Sequence, residues 1–421
     1  MKMRVARYGL CLVVAGCGTA ASTGNQADNA SPTAQAAADP APSANPPFVS
    51  TAVATFDSPW AMAFLPGSTQ GIVTEKPGHI WLVDYRNGRK QAVSGAPRVV
   101  AGGQGGLLDV AASPTFASDN QVYLTYAEPS ANGGSGLELA RARLVRGAAG
   151  VSLQNVTLLW HDPAGGQGGQ FGAVVAFAPD GQSLFLSSGE RQRFTPAQDP
   201  NQPIGKILHL TLDGKPAPDN PWAGHTGTPT VTVTDPPEDT QAAAHAHGRT
   251  VRWPGSNLTP PETWTLGHRN PYGLTFDAQG RLWETEMGPK GGDELNLIVK
   301  GKNYGWPLVS EGENYDGNPI PKPSTRPDLQ AAKLYWVPSV SPTTLLIYNG
   351  NVFPQWKGNG FIGSLSGQSL IRLTFNGENA QKADRWDMGN RIRWVGQGPD
   401  GAIYLLEDGD GARLLRLTPR R

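Results

Sequence analysis

Short runs of alternating apolar and polar residues, each introduced by a turn, recur along the chain. The unit is an apolar residue, a turn built from Pro, Asp, Asn or Gly, and then a strand-like run. It occurs as Phe64-Leu65-Pro66-Gly67 before GIVTE, and as Ser113-Pro114 through Asp119-Asn120 before QVYLTY. It returns as Phe177-Ala178-Pro179-Asp180-Gly181 before SLFLSSG and as Phe276 through Gly280 before RLWETE. The last two are Phe353-Pro354 through Asn359 before GFIGSL, and Gly398-Pro399-Asp400-Gly401 before AIYLLED. Turns of this composition favour hairpins, because Gly, Asn and Asp accept the positive φ that tight connections need. Six unevenly spaced hairpin units predict an all-β fold, a six-bladed β-propeller. A two-sheet sandwich is the rival, and the chain is long for it. The spacing stretches at Ala223–Pro261 and Glu311–Val337, two Pro-rich insertions.

The N-terminus breaks the pattern. Lys2, Arg4 and Arg7 precede an apolar run, Tyr8 to Ala15, far shorter than the roughly 20 residues of a spanning helix. It reads as a secretory signal over residues 1–17. Val14-Ala15-Gly16-Cys17 is similar to a bacterial lipobox, with Cys17 as the lipidated residue; the alternative is an ordinary signal with a chance Cys. Gly18 rather than Asp after the Cys points to the outer membrane. The expected location is the cell envelope, lipid-anchored on the periplasmic side. Cys11 then leaves with the signal and no disulfide can form. Residues 18–47 are rich in Ala, Pro, Ser, Thr and Asn, too polar to bury a core, and predict a disordered tether. The propeller is expected over 48–421.

Composition narrows the function. With 35 basic and 35 acidic residues the formal net charge is +0, so nothing points to a nucleic-acid partner. Twelve Trp residues suit sugar stacking, but core packing explains them equally well. His225, His245 and His247 lie in the first insertion, where a solvated loop is the simpler reading than a metal site.

The chemistry concentrates in Gly267–Pro307. Arg269 and Asn270 sit at the mouth of one strand, and Gly288-Pro289 follow the next. Pro cannot extend a ladder, so these carbonyls are expected to be free for a ligand or a hard cation. Asp293 and Glu294 add oxygens suited to Ca²⁺. In a propeller, loops from distant blades converge on the central channel. That would join Gln104, Gln170, Arg269-Asn270, Gly288-Pro289, Arg391, Arg393 and Asp408 into one constellation. Arg391 and Arg393, two residues apart, share one strand face and repel unless an anion lies between them.

From about Ser58 to Pro419 the chain resembles the PQQ-dependent soluble aldose sugar dehydrogenases, the glucose/sorbosone dehydrogenase family. The resemblance rests on DSPWAMAFLP, GGQGGLLDV, GKILHLTLDGKPAPDNPW, GHRNPYGL, EMGPKGGDELNLIVKGKNYGWP, FPQWKGNGFIGSL and NRIRWVGQGPDG. It implies a six-bladed propeller that oxidises aldose sugars with pyrroloquinoline quinone (PQQ) and Ca²⁺, passing electrons to a further acceptor. It further implies that Arg391 and Arg393 pair with the quinone carboxylates, that Gln104 and Asn270 bond its edge, and that Asp408 makes a further contact. Gly288 and Pro289 would bind the active-site Ca²⁺. Arg269 would stabilise charge on the quinone oxygen. Glu294 and the Tyr304 carbonyl match a second, structural Ca²⁺ site.

The sequence also departs from the family. Gln170 occupies the position of the catalytic His, Val174 replaces an Arg, Met287 stands where His or Gln is usual, and Ser366 falls at a cofactor Lys. A neutral amide takes up no proton at pH 7. His161 and Glu190 are the substitute bases to weigh. The leading reading is a quinone-dependent sugar dehydrogenase. The alternatives are a catalytically degenerate ligand-binding propeller lipoprotein and a protein-interaction platform.

Overall fold

The computed structural model describes residues 38–130, 133–234, 247–253 and 255–420. Cys17 and the expected signal lie outside them, as does His245. Twenty-four of the strands form six four-stranded antiparallel blades, which makes the fold the expected all-β propeller. The first blade holds β2 (Pro59–Phe64), β3 (Gln70–Glu75), β4 (His79–Asp84) and β5 (Lys90–Ser94). The second holds β6 (Leu107–Ala112), β7 (Gln121–Pro129), β8 (Ser135–Gly147) and β9 (Gly150–His161). A parallel pairing of β5 with β9 joins their outer edges. The third is β10 (Gly172–Phe177), β11 (Ser183–Ser188), β12 (Lys206–Thr211) and β15 (Thr263–Leu266). The fourth is β16 (Pro271–Phe276), β17 (Leu282–Glu286), β18 (Asp293–Ile298) and β19 (Leu334–Trp336). The fifth is β20 (Pro342–Ile347), β21 (Gly360–Ser364), β22 (Ser369–Asn376) and β23 (Asn379–Asp387). The sixth combines β24 (Ile392–Gln397), β25 (Ile403–Glu407) and β26 (Ala412–Pro419) with the N-terminal β1 (Phe48–Phe56), so the two ends of the chain close the ring together.

The six runs read from sequence are β3, β7, β11, β17, β21 and β25, the second strand of every blade. The first insertion carries a hairpin, β13 (Thr230–Thr234) with β14 (Gly248–Arg252). His225 and His247 are exposed there. Within the stretch expected as tether, Ser43 exchanges backbone hydrogen bonds with Arg385 and Asp387 of β23, and Asp39 pairs with Lys382.

Two repeated devices hold the blades in register. A hydroxyl on the second strand donates to a carbonyl on the next blade's innermost strand: Thr74 to Leu108 at 2.6 Å, Thr125 to Ala173 at 2.7 Å, Ser187 to Pro271 at 3.0 Å and Thr285 to Thr343 at 2.9 Å. Each innermost strand also shifts register within its first residues, at Pro59/Ala61, Leu107/Val110, Gly172/Val175, Pro271/Gly273, Pro342/Leu345 and Ile392/Trp394. Bulges re-aim side chains at the rim of a sheet. Here they lie directly after Gln104, Gln170, Arg269-Asn270 and Arg391, so one face of the ring collects those residues.

Asp109 on β6 adds a buried tie, accepting from the backbone N–H of Val175 on β10 at 2.8 Å and of Val110 at 2.9 Å. Burial outweighs these bonds and pushes its carboxyl up to about 7. A folded-state value above the unfolded one means that the native state holds the extra proton between about pH 4 and 7. This contribution is therefore complete at low pH and is lost as pH rises through 7. Asp109→Asn should remove it: the variant should gain on the wild type by a few kcal/mol between pH 5 and 8, read from paired urea melts.

Candidate functional site

The site begins with a run of strained backbone. Gln170, Ala173, Arg191, Gln192 and Phe194 all take left-handed φ, at 57°, 80°, 62°, 59° and 61°. Non-glycine residues reach this region at a cost and cluster at functional sites. Two buried guanidiniums hold the loop that leads into Gln170. Arg191 donates to the carbonyls of Ser135 at 2.9 Å, Gly168 at 2.9 Å and Gly169 at 3.1 Å, and stacks 3.8 Å from the Phe171 ring. Burial, and then Arg193, lower its value to about 9. Arg193 donates to the Gln167 carbonyl at 2.8 Å. Gly189 is needed beside them, since a Cβ there would lie 2.1 Å from the Gln170 carbonyl oxygen.

Gln170 is buried, 5% exposed. Its backbone N–H donates to Gln104 Oε1 at 2.9 Å. Oriented to satisfy both neighbours, its side-chain carbonyl accepts from Arg269 Nη2 at 2.9 Å and its amide N–H donates to Glu190 Oε1. Arg269 is also buried, with its guanidinium 5.2 Å above the Trp306 ring. Its Nη1 donates to the carbonyls of Met287 at 2.9 Å and Gly288 at 2.5 Å. The Gly288 carbonyl, expected to be free, is therefore engaged by Arg269: the turn that breaks the ladder folds the carbonyl back onto the guanidinium. Pro289 is buried, and no hydrogen bond to its carbonyl is seen among the described residues.

Glu286, at the end of β17, sets the Arg269-Asn270 turn. One carboxylate oxygen accepts the backbone N–H of Arg269 at 2.5 Å and of Asn270 at 3.3 Å. The other lies 3.1 Å from His268 Nδ1 and 3.3 Å from Asn296 Nδ2. Asn270, expected to meet a ligand edge, is 1% exposed. Its Oδ1 accepts from the Gly172 N–H at 3.3 Å and its amide nitrogen lies 3.7 Å from Met287 Sδ, so it ties the third blade to the fourth.

Arg391 and Arg393 project from the start of β24. The anion expected between them is Asp408. Its two oxygens accept from Arg391 Nε at 2.7 Å and Arg393 Nε at 2.9 Å. The terminal Nη groups of both arginines make no hydrogen bond to the described residues. Lys76, which sequence reading missed, donates to the Gly103 carbonyl at 2.7 Å. Burial, then Arg393, lower its ammonium below the ordinary value. Tyr272 links this cluster to the rest: its ring lies 6.0 Å from the Arg393 guanidinium and its hydroxyl donates to Gln104 Oε1 at 3.2 Å. A chain of contacts thus runs from Arg391, Arg393 and Asp408 through Tyr272, Gln104 and Gln170 to Arg269 and Gly288. The fifth blade contributes hydroxyls, with Ser341 2.9 Å from Ser366. Val174 is in the core, where the family's Arg could not be accommodated without burying a charge.

Glu294 and Tyr304 line a cavity of about 10 Å³ with Arg269, Glu286, Gly288 and Trp306. Glu284, Glu286 and Glu294 all accept from one donor group, Asn296 Nδ2, at 3.0, 3.3 and 3.0 Å. Glu284 Oε1 is buried with no partner. Burial, then Glu286, raise the carboxyl groups of Glu284 and Glu294. Three carboxylates around one amide suit a divalent cation. His161 is elsewhere. It lines a 290 Å³ cavity between β9 and residues 253–262 that none of these site residues touches.

Sequence reading also missed Arg191, Arg193, Tyr272, Glu286 and Trp306. The Arg pair sits two residues apart in GERQRF, as Arg391 and Arg393 do in GNRIRW, and that spacing was a usable signal.

The aldose sugar dehydrogenase YliI of Escherichia coli is 34% identical over 369 residues, spanning 86% of this chain and 91% of the relative. The apo-form structure of the soluble aldose sugar dehydrogenase from Escherichia coli matches with a TM-score of 0.74 and 31% identity, over 89% of this chain and all of that one. The PQQ-bound aldose sugar dehydrogenase of Streptomyces coelicolor matches with a TM-score of 0.64 and 27% identity, over 90% of this chain and 99% of that one. The family model described as Glucose / Sorbosone dehydrogenase matches residues 56–233 and 253–416, and the chain belongs to that family.

Proposed function

We propose that this protein oxidises aldose sugars with PQQ as hydride acceptor and Ca²⁺ as its metal. The observation that carries the reading is the charge balance on the rim: Lys76, Arg391 and Arg393 face a single carboxylate, Asp408. A ligand with several carboxylates fits such a cluster, because unengaged guanidinium nitrogens bind carboxylates through charge-assisted hydrogen bonds. When bound, the quinone would supply hydride-accepting capacity and a Ca²⁺ would supply Lewis acidity.

The chain's own residues do the rest. Arg391 and Arg393 clamp the acidic edge, with Asp408 fixing both side chains. Gln104 presents its amide nitrogen, which makes no protein hydrogen bond among the described residues. Arg269 brings a fixed positive charge beside the Met287 and Gly288 carbonyls, where negative charge would develop during oxidation. The Pro289 carbonyl would supply an oxygen for the active-site Ca²⁺, and the Gly288 carbonyl, held by Arg269, would join it only by giving up that bond. Glu294 and the Tyr304 carbonyl would hold a second ion, for which the crowding of Glu284, Glu286 and Glu294 is the physical motive. The sugar docks against this rim, and electrons leave to an acceptor outside the chain. Anchoring through Cys17 on the periplasmic side of the outer membrane rests on residues 1–17 alone; Cys17→Ser should release the protein from the membrane fraction.

The deciding experiment loads the purified protein with PQQ and Ca²⁺ and follows dye reduction with a panel of aldoses. Turnover with at least one sugar, abolished by chelation, is the expected result. Quinone binding without turnover on any sugar would favour the degenerate binding propeller, for which the neutral amide of Gln170 is the specific argument.

A further inference from the structure

We propose that the proton acceptor of this site is the Glu190 carboxylate, covered in the resting protein by the Gln170 amide, which the sugar hydroxyl displaces. This rests on the oxidation reading above. Gln170 stands in the base position, yet its amide nitrogen has no lone pair to offer and its oxygen takes up no proton at neutral pH. The residue directly behind it does have that capacity.

Glu190 follows β11 and is 1% exposed. Its two oxygens are treated differently. Oε2 accepts from the backbone N–H groups of Arg193 and Phe194, which fix the carboxylate in place. Oε1 has one protein partner among the described residues, the Gln170 amide, a side chain that can swing aside. The Glu190 backbone N–H donates to the Arg269 carbonyl at 2.9 Å, so the carboxylate is tied to the residue that faces the developing oxyanion. The charged groups facing it are Arg269 and Arg193, which lower its value, and the buried Arg191; burial raises it, and burial prevails. A carboxyl raised above its ordinary range is a better general base than a solvated one.

Glu284 and Glu294 share the Asn296 amide in the cluster assigned to the second ion, and two further carboxylates are committed. Glu286 is occupied by the Arg269 and Asn270 N–H groups and His268, and Asp408 by two arginines. His161 lies on a different cavity.

The sugar O–H bond breaks and its proton goes to Glu190 Oε1. The C–H bond at the same carbon breaks and its electron pair leaves as hydride to the quinone carbon. The sugar C=O bond forms, so the sugar is oxidised and the quinone reduced by two electrons.

The test uses the full chain loaded with PQQ and Ca²⁺. Glu190→Gln should lower kcat by about 10²–10⁴-fold with quinone affinity unchanged. Glu190→Asp should keep measurable turnover with a displaced acid limb in kcat/KM, and it serves if the Gln variant folds poorly. Independently of turnover, infrared difference spectra of the wild type across pH should show a protonated-carboxyl band that vanishes in Glu190→Gln and whose midpoint shifts when a non-oxidisable sugar analogue binds. An active wild type with an equally active Glu190→Gln, or a carboxyl midpoint unmoved by the analogue, overturns the assignment while leaving the function standing. A wild type inactive on every aldose overturns the function, and the assignment with it.

Discussion

Replacing both Arg391 and Arg393 by alanine should weaken PQQ binding by about 10²–10⁴-fold. A hydrogen bond to a charged partner contributes about 1.5–3 kcal/mol, and each arginine presents terminal nitrogens that the protein leaves unengaged. The substitution also strips Asp408 of its two partners, at 2.7 and 2.9 Å, and turns a compensated carboxylate into a repulsive one. Lysine at both positions should recover part of the loss, since it keeps the charge and loses the planar fork. Arg391 is the more exposed of the pair, so its share should fall more steeply with added salt than that of Arg393. Titration of the apo-protein with the quinone, followed by calorimetry at two ionic strengths, measures all of this. Wild-type affinity in the double alanine variant would move the cofactor to another part of the molecule.

Glu286→Ala should destabilise the protein by about 3–5 kcal/mol, the usual cost of removing one member of a buried charged network. The carboxylate accepts from the backbone N–H of Arg269 and Asn270 and contacts His268 and Asn296. Truncation orphans these donors in a buried site. The urea midpoint should fall at an unchanged slope. Glu286→Gln keeps one acceptor oxygen and should cost less. Because the same carboxylate sets the turn that aims Arg269, the alanine variant should also lose turnover under conditions where it remains folded. A loss of under about 1 kcal/mol would mean that the turn is held by other contacts.

Both expectations concern residues that differ in how legible they were. Arg391 and Arg393 could be read from the chain, because two like charges on one strand face demand a counter-ion. The nature of that counter-ion could not. Asp408 follows β25 and meets the arginines only because antiparallel pairing sets Ile392 opposite Glu407. Glu286 was passed over as one acidic residue in a strand. Its role depends on the turn preceding β16 folding back over the end of β17, a contact between two strands that the sequence alone does not register. The expectation of a free Gly288 carbonyl failed for a related reason. A broken ladder frees a carbonyl from its strand, and whichever donor is nearest in space then claims it, here Arg269.

The sequence by itself determined that this chain is a ring of six antiparallel units, because hairpin turns and alternating strands are local properties with local causes. It also marked where the chemistry concentrates, through runs of Gly, Arg and Asp at the starts of innermost strands. Tertiary structure alone decided which of those groups pair with one another and which remain open to a ligand. Register shifts in the inner strands and hydroxyl ties between blades bring residues together across more than 300 positions of chain, and whether a charge there is compensated, covered or available depends on neighbours that only the closed ring supplies.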